Sequence, residues 1–189
     1  MTARAPAKLP LAVLIAAASV ALLALAWAMA SRVGAPFALE WPEPAMLEHA
    51  LRLRAGEPLY VQPSLAFAPL PSPPLFYGPG SALLGGLGSS LRPLRVVSVL
   101  GVLLIFVSLV GSFRWVAGWA ACGWFAATYG WTGFWLDVAR VDSLGLGLGA
   151  VGFALALRAE GSNGKAAPSG LASGVASALA VLAKQTQLG

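Results

Sequence analysis

The sequence predicts an all-α integral membrane protein: a multi-span helical bundle with a long first extracytoplasmic loop that carries an amphipathic surface helix. Three observations predict it. Of 189 residues, 58% are hydrophobic and only 10% are charged, against about 25% charged in an average soluble domain. Uncharged apolar runs recur along the chain, the first of them 22 residues long. Between the first run and the second lie residues 31–95, too long for a passive connection and expected to hold structure of their own.

Composition also excludes several classes. Twelve Lys plus Arg against seven Asp plus Glu give a formal charge of +5, but the basic residues are dispersed, so nucleic acid is not an expected partner. Cys122 is the single cysteine, which rules out an intrachain disulfide and a thiolate metal cluster. His49 is the single histidine, so no multi-His metal site can form.

In chain order, residues 9–30 form the first predicted span, because 22 residues at about 1.5 Å each cross a hydrocarbon core of about 30 Å. The run ends in Ala28-Met29-Ala30, which also fits a signal-peptide cleavage pattern, although its apolar region exceeds the usual length of about 7 to 15 residues. Residues 44–55 read as a helix: Pro44 suits a first turn, Glu48 and Arg52 can pair at i,i+4, and Gly56 supplies a stop. Met46, Leu47, Ala50, Leu51 and Leu53 make its apolar side, with Glu48, His49 and Arg52 opposite. Such a helix is expected to lie on the membrane surface, with His49 solvated or capping.

Residues 58–80 hold seven prolines among 23 positions, interleaved with Tyr60, Phe67, Phe76 and Tyr77. That density demands extended or turned backbone. Residues 81–90 are expected to form a short, glycine-broken interfacial helix. The remaining predicted spans are 96–113, 115–136, 143–157 and 169–183, of 18, 22, 15 and 15 uncharged residues. Small residues repeat every four positions at Gly118, Cys122 and Ala126, at Gly145 and Gly149, and at Gly170, Gly174 and Ala178, a pattern that lets helices approach closely. Gly147, Gly149 and Gly152 spell GxGxxG inside a helical run, where no preceding strand exists to make a dinucleotide-binding turn.

With the N-terminus in the cytoplasm, Arg4, Lys8, Arg114, Arg158 and Lys165 fall inside, while Arg32, Arg52, Arg54, Arg92, Arg95, Arg140 and Lys184 fall outside. Six of the seven acids fall outside as well. Two readings follow: the outer acids balance the outer cations, or several of the cations bind an anion there. Three ionisable clusters border the apolar runs: Glu40 with Glu43, Asp137 with Arg140 and Asp142, and Lys184 with Gln185. All fall on the outer side in this topology, where acids and cations together suit an anionic lipid-linked substrate. Each also has a bland role, since Asp142 can cap a helix, Asp137 can pair with Arg140, and Lys184 can snorkel.

The order of the motifs Glu40-Trp-Pro-Glu43, Gly56-Glu57-Pro58-Leu59-Tyr60, Phe76-Tyr77-Gly78-Pro79, Arg140-Val-Asp142 and Ala183-Lys184-Gln185-Thr186 resembles bacterial polyprenyl-phosphate-sugar-dependent glycosyltransferases of the GT-C fold. In general plan only, it is also similar to protein O-mannosyltransferases and the lipid A aminoarabinose transferase. The resemblance implies a multi-pass protein of the bacterial inner membrane, of which this chain is the N-terminal part. It implies a polyprenyl-phosphate-linked sugar donor, an acceptor of unknown identity and the lipid bilayer as partners. Glu40 stands at the position of the catalytic base and is favoured slightly over Glu43, which fills the second acidic position and is the alternative base. Arg140 and Asp142 match the basic and acidic pair of the second outer loop, and Lys184 the lysine that ends the fifth span. No cofactor is called for; arginines alone can hold the donor phosphate, and a divalent cation stays open. Two readings of other classes remain beside this one, a transporter or channel part and a non-catalytic assembly subunit.

Overall fold

The computed structural model describes residues 8–65, 67–160 and 167–185. Arg4, Lys165 and Thr186, which entered the topology and motif readings above, lie outside them. Seven α-helices are found among the described residues: α1 (Lys8–Val33), α2 (Glu43–Arg54), α3 (Tyr77–Leu87), α4 (Arg92–Ser112), α5 (Trp115–Ala127), α6 (Val141–Glu160) and α7 (Ala167–Ala183). No strand occurs among these residues. Three helical segments, Pro10–Val33, Arg92–Ser112 and Val141–Glu160, are long and apolar enough to cross a membrane.

The expected third span differs most from its prediction. Residues 115–136 are uncharged throughout, yet α5 stops at Ala127, so its 13 residues reach only about 20 Å. Successive turns follow, in which the amides of Trp131 and Thr132 donate to the Thr128 carbonyl at 2.9 and 3.1 Å. Gly133 and Phe134 sit at φ of +70° and +61°, a left-handed geometry that no helix continues. Absence of charge marked this run, but Thr128, Gly130, Thr132 and Gly133 are turn formers and were the contrary signal. The last helix, α7, has 17 residues, about 26 Å.

One end of the bundle gathers the C-termini of α1 and α7, the N-termini of α4 and α6, and the turns before α6. Hydroxyls pin those turns: Ser98 Oγ donates to the carbonyls of Val138 at 2.6 Å and Arg140 at 3.2 Å, and Ser143 Oγ to that of Leu136 at 2.7 Å. At the opposite end Arg158 donates to the Gly111 carbonyl at 3.1 Å.

Residues 34–91 fold onto the first end with a core of their own. Met46, Ala50, Phe76, Tyr77 and Leu84 pack with Leu94 and Val97 of α4 and with Ala139 and Val141. Helix α2 therefore buries Glu43, Met46, His49 and Ala50, spaced three or four apart, while Leu51 and Leu53 are exposed. The expected solvated place of His49 is corrected. It is fully buried, with Nδ1 at 2.7 Å from the Ala45 carbonyl and Nε2 accepting the Leu70 amide at 2.9 Å, stacked on Tyr77 at 5.0 Å. A neutral imidazole offers one donor and one acceptor, which is what this bridge from α2 to the proline-rich segment needs. Arg52 reaches Glu57 at 3.0 Å rather than the expected Glu48.

Glycine sets the closest helix contact. A Cβ on Gly101 would collide with the Ser143 carbonyl, and one on Gly147 with the Gly101 carbonyl, so α4 and α6 touch backbone to backbone. Gly147 and Gly152 of the GxGxxG match thus serve packing, Gly152 against Ser173 and Ser177 of α7. The stripe expected at Gly170, Gly174 and Ala178 is not the packed face of α7. Gly170 and Gly174 meet nothing within 4 Å, and Ala176, Ala180 and Ala183 are buried instead. Gly101→Ala is therefore expected to lower the thermal midpoint in detergent, since overpacking costs about 1–3 kcal/mol and the obstacle here is backbone. Gly174→Ala should hold or raise it, because alanine favours helix by about 1 kcal/mol. Equal midpoints for the two variants would contradict the close contact.

Candidate functional site

Two polar networks occupy the end where α1, α4, α6 and α7 meet, and the first is structural. Arg95, in the first turn of α4, is completely buried. Its Nε donates to Glu43 Oε1 at 2.8 Å, its Nη1 to the carbonyls of Arg32 and Ala35 at 3.1 and 2.8 Å, and its Nη2 to the Phe37 carbonyl and Glu43 Oε2 at 2.8 and 2.7 Å. All five guanidinium donors are used. Glu43 is equally buried. Its Oε1 also accepts the Ala139 amide at 2.8 Å and its Oε2 the Leu39 amide at 2.6 Å. Burial pushes the Glu43 carboxyl up, but Arg95 and these two amides prevail and hold it below the usual carboxylate range. The pair ties the exit of α1, the start of α2, the start of α4 and the turn before α6 into one unit.

The second network begins one residue beyond each of the two amides in that latch, Leu39 and Ala139. Glu40, which precedes α2, accepts from Arg140 Nη1 at 2.8 Å through Oε1. Its Oε2 is buried with no hydrogen-bond partner. Arg140 Nε donates to Asp142 Oδ2 at 3.0 Å, and Asp142 Oδ1 accepts from Lys184 at the end of α7. The Arg140 guanidinium also lies over the Trp135 ring at 4.4 Å, a cation–π contact that fixes its plane. Arg140, Asp142 and Lys184 line an open pocket of about 280 Å³ walled by Trp41 and residues 71–73. Gln185 donates to the Pro71 carbonyl at 3.2 Å and so ties the end of α7 to that wall. Two cations and two carboxylates make the chain formally neutral here, so an incoming anion competes with the carboxylates for these cations.

Asp137 belongs to neither network. The expected pair with Arg140 is replaced by an ion pair with Arg32 at 3.2 Å and a hydrogen bond from the Tyr129 hydroxyl at 2.7 Å. Burial pushes the Asp137 carboxyl up against the opposing pull of Tyr129 and Arg32. The group holds the turns after α5 against the end of α1.

The structure thus brings together Glu40, Arg140, Asp142 and Lys184, and places Glu43 apart from them with every lone pair occupied. Asp142 lies in the first turn of α6 but spends both oxygens on Arg140 and Lys184. Lys184 reaches Asp142 rather than snorkelling. Sequence reasoning missed Arg95 as the partner of Glu43, and Trp135 and Trp41 as parts of the site. A signal existed for Arg95: an arginine opening an apolar run is expensive unless paired. No such signal existed for the tryptophans among seven in the chain. No family model matches the chain, and no curated protein and no solved structure matches it.

Proposed function

We propose that the full-length protein transfers a sugar from a polyprenyl-phosphate donor to an acceptor on the extracytoplasmic face of the bacterial inner membrane. In this reading α1, α4, α6 and α7, with α5 and its following turns as the third crossing, form five passes, and the gathered end carrying Glu40 faces outward. The observation that carries it is the meeting of Glu40 with Arg140, 100 residues apart, and of Asp142 with Lys184, 42 residues apart, in one network whose Arg140, Asp142 and Lys184 line a pocket. A carboxylate with a free lone pair beside two cations is the equipment that displacement of a phosphate requires.

The step balances as follows. Glu40 Oε2 takes the proton of the acceptor as its heteroatom bonds to the anomeric carbon. The bond from that carbon to the phosphate oxygen breaks, its electron pair staying on the phosphate beside Arg140 and Lys184. Because Arg140 Nη1 is already committed to Glu40, donor phosphate and Glu40 compete for one guanidinium. Donor binding would then release Glu40 from its ion pair and leave it free to act as base. Asp142 keeps Arg140 and Lys184 adjacent throughout.

The test is transfer from a radiolabelled polyprenyl-phosphate sugar by the purified full-length protein in detergent. Arg140→Ala and Lys184→Ala are each expected to weaken donor binding by about ten- to 150-fold, the worth of about 1.5–3 kcal/mol for a charge-assisted hydrogen bond. Wild-type protein that transfers no sugar from any such donor would overturn the reading.

A further inference from the structure

We infer that the bundle end opposite the candidate site holds one anionic phospholipid, its headgroup at Arg158 and one acyl chain in the groove between α1 and α4. The inference needs only that the apolar helices lie in a bilayer, and not the transfer reaction.

An apolar groove of about 770 Å³ opens there, with Ala26, Leu103, Phe106 and Val107 on its walls and Gly111 and Arg158 at its end. Its size falls within the range of about 300–1,000 Å³ typical of small-molecule sites. Val107 is 68% exposed, so among the described residues the wall has no protein cover. From Leu103 to Gly111 the groove runs about 12 Å along α4 at about 1.5 Å per residue. One leaflet of a hydrocarbon core of about 30 Å is about 15 Å deep, so the groove takes a single chain from the leaflet on Arg158's side.

Charge selects the headgroup. The Arg158 guanidinium is brought to the groove's end by its bond to the Gly111 carbonyl at 3.1 Å, and a Cβ on Gly111 would come within 2.6 Å of it. Gly111 thus packs directly against the guanidinium at the groove's end. That bond uses one of five N–H donors, and Arg158 is exposed, which leaves donors for a phosphate. Glu160 is also exposed on the last turn of α6, and no ion pair joins it to Arg158 among the described residues. A fatty chain alone would satisfy the walls and leave the cation unanswered; an anionic phospholipid satisfies both.

Native mass spectrometry of the full chain from detergent, with phosphatidylglycerol or phosphatidylcholine added at equal concentration, reads this directly. One phosphatidylglycerol is expected to be retained about fivefold better than phosphatidylcholine, the effect of one basic residue at an anionic headgroup. Arg158→Gln should bring the two lipids to parity and Arg158→Lys should keep most of the preference. Val107→Trp, at an exposed position where folding is not at stake, should reduce retention of both. Equal retention of the two lipids by wild type, or a preference that survives Arg158→Gln, would overturn the proposal. Lipid-free dimers that vanish in Val107→Trp would assign the groove to a second copy of the chain and overturn it as well.

Discussion

Glu40→Gln in the full-length protein is expected to lower sugar transfer by about 10²- to 10⁴-fold, the usual loss on removing a general base, while donor binding tightens. The two effects have one origin. In the resting site Arg140 Nη1 is held by Glu40 Oε1 at 2.8 Å, so donor phosphate meets a carboxylate already paired with that guanidinium. Glutamine keeps the shape but gives up the charge, and the competition weakens. A merely structural Glu40 would lose activity together with binding, because Arg140 would drift without its partner. The measurement pairs single-turnover transfer with equilibrium binding of decaprenyl phosphate. Binding that is unchanged or weaker in Glu40→Gln would contradict the exchange at Arg140, and full transfer would remove Glu40 from the mechanism. Absence of decaprenyl phosphate binding in both proteins would instead defeat the functional reading itself.

The second large effect is on folding. Arg95→Ala strands a buried carboxylate, and Glu43→Gln strands a buried guanidinium; breaking such a pair costs about 3–5 kcal/mol. Both are completely buried and mutually bound. Thermal unfolding in detergent should show losses of similar size for the two variants, and the double variant Glu43→Gln/Arg95→Met should recover part of them. The pH dependence follows from the sign of the Glu43 shift. Its folded carboxyl lies below the usual range, so its contribution is fully present above the unfolded value of about 4.3 and is lost as pH falls through the folded value. The gap in thermal midpoint between wild type and Glu43→Gln should hold from pH 7 to about 5 and narrow below that. A gap that widens on acidification would contradict the arrangement.

These two glutamates illustrate where sequence stops. Glu40 and Glu43 lie three residues apart with the same side chain, and the motif offers both as base. What separates them is the position of Arg95, 52 residues further on. Together with the Leu39 and Ala139 amides it saturates Glu43, whereas Glu40 Oε2 stays unpartnered. Local order cannot express that difference, because it depends on which distant cation arrives at which oxygen.

By itself the sequence determined the helical class and the existence of long apolar helices, since length and uniform hydropathy are local properties that a helix needs no partner to express. It also determined the proline-rich, non-helical character of most of residues 58–73, because proline restricts its own backbone and that of its predecessor. Tertiary structure decided the rest. The uncharged run from 115 to 136 carried turn formers of its own, but where its turns sit was set by the packing of Tyr129 and Leu136 against α1 and α4. His49, polar on paper, was buried because the Leu70 amide from a segment 21 residues away required an acceptor. The packed face of α7 followed from where Gly152 left room for Ser177, not from the helix's own glycines. Periodicity records which residues share a face, but which face is buried depends on the neighbour it meets.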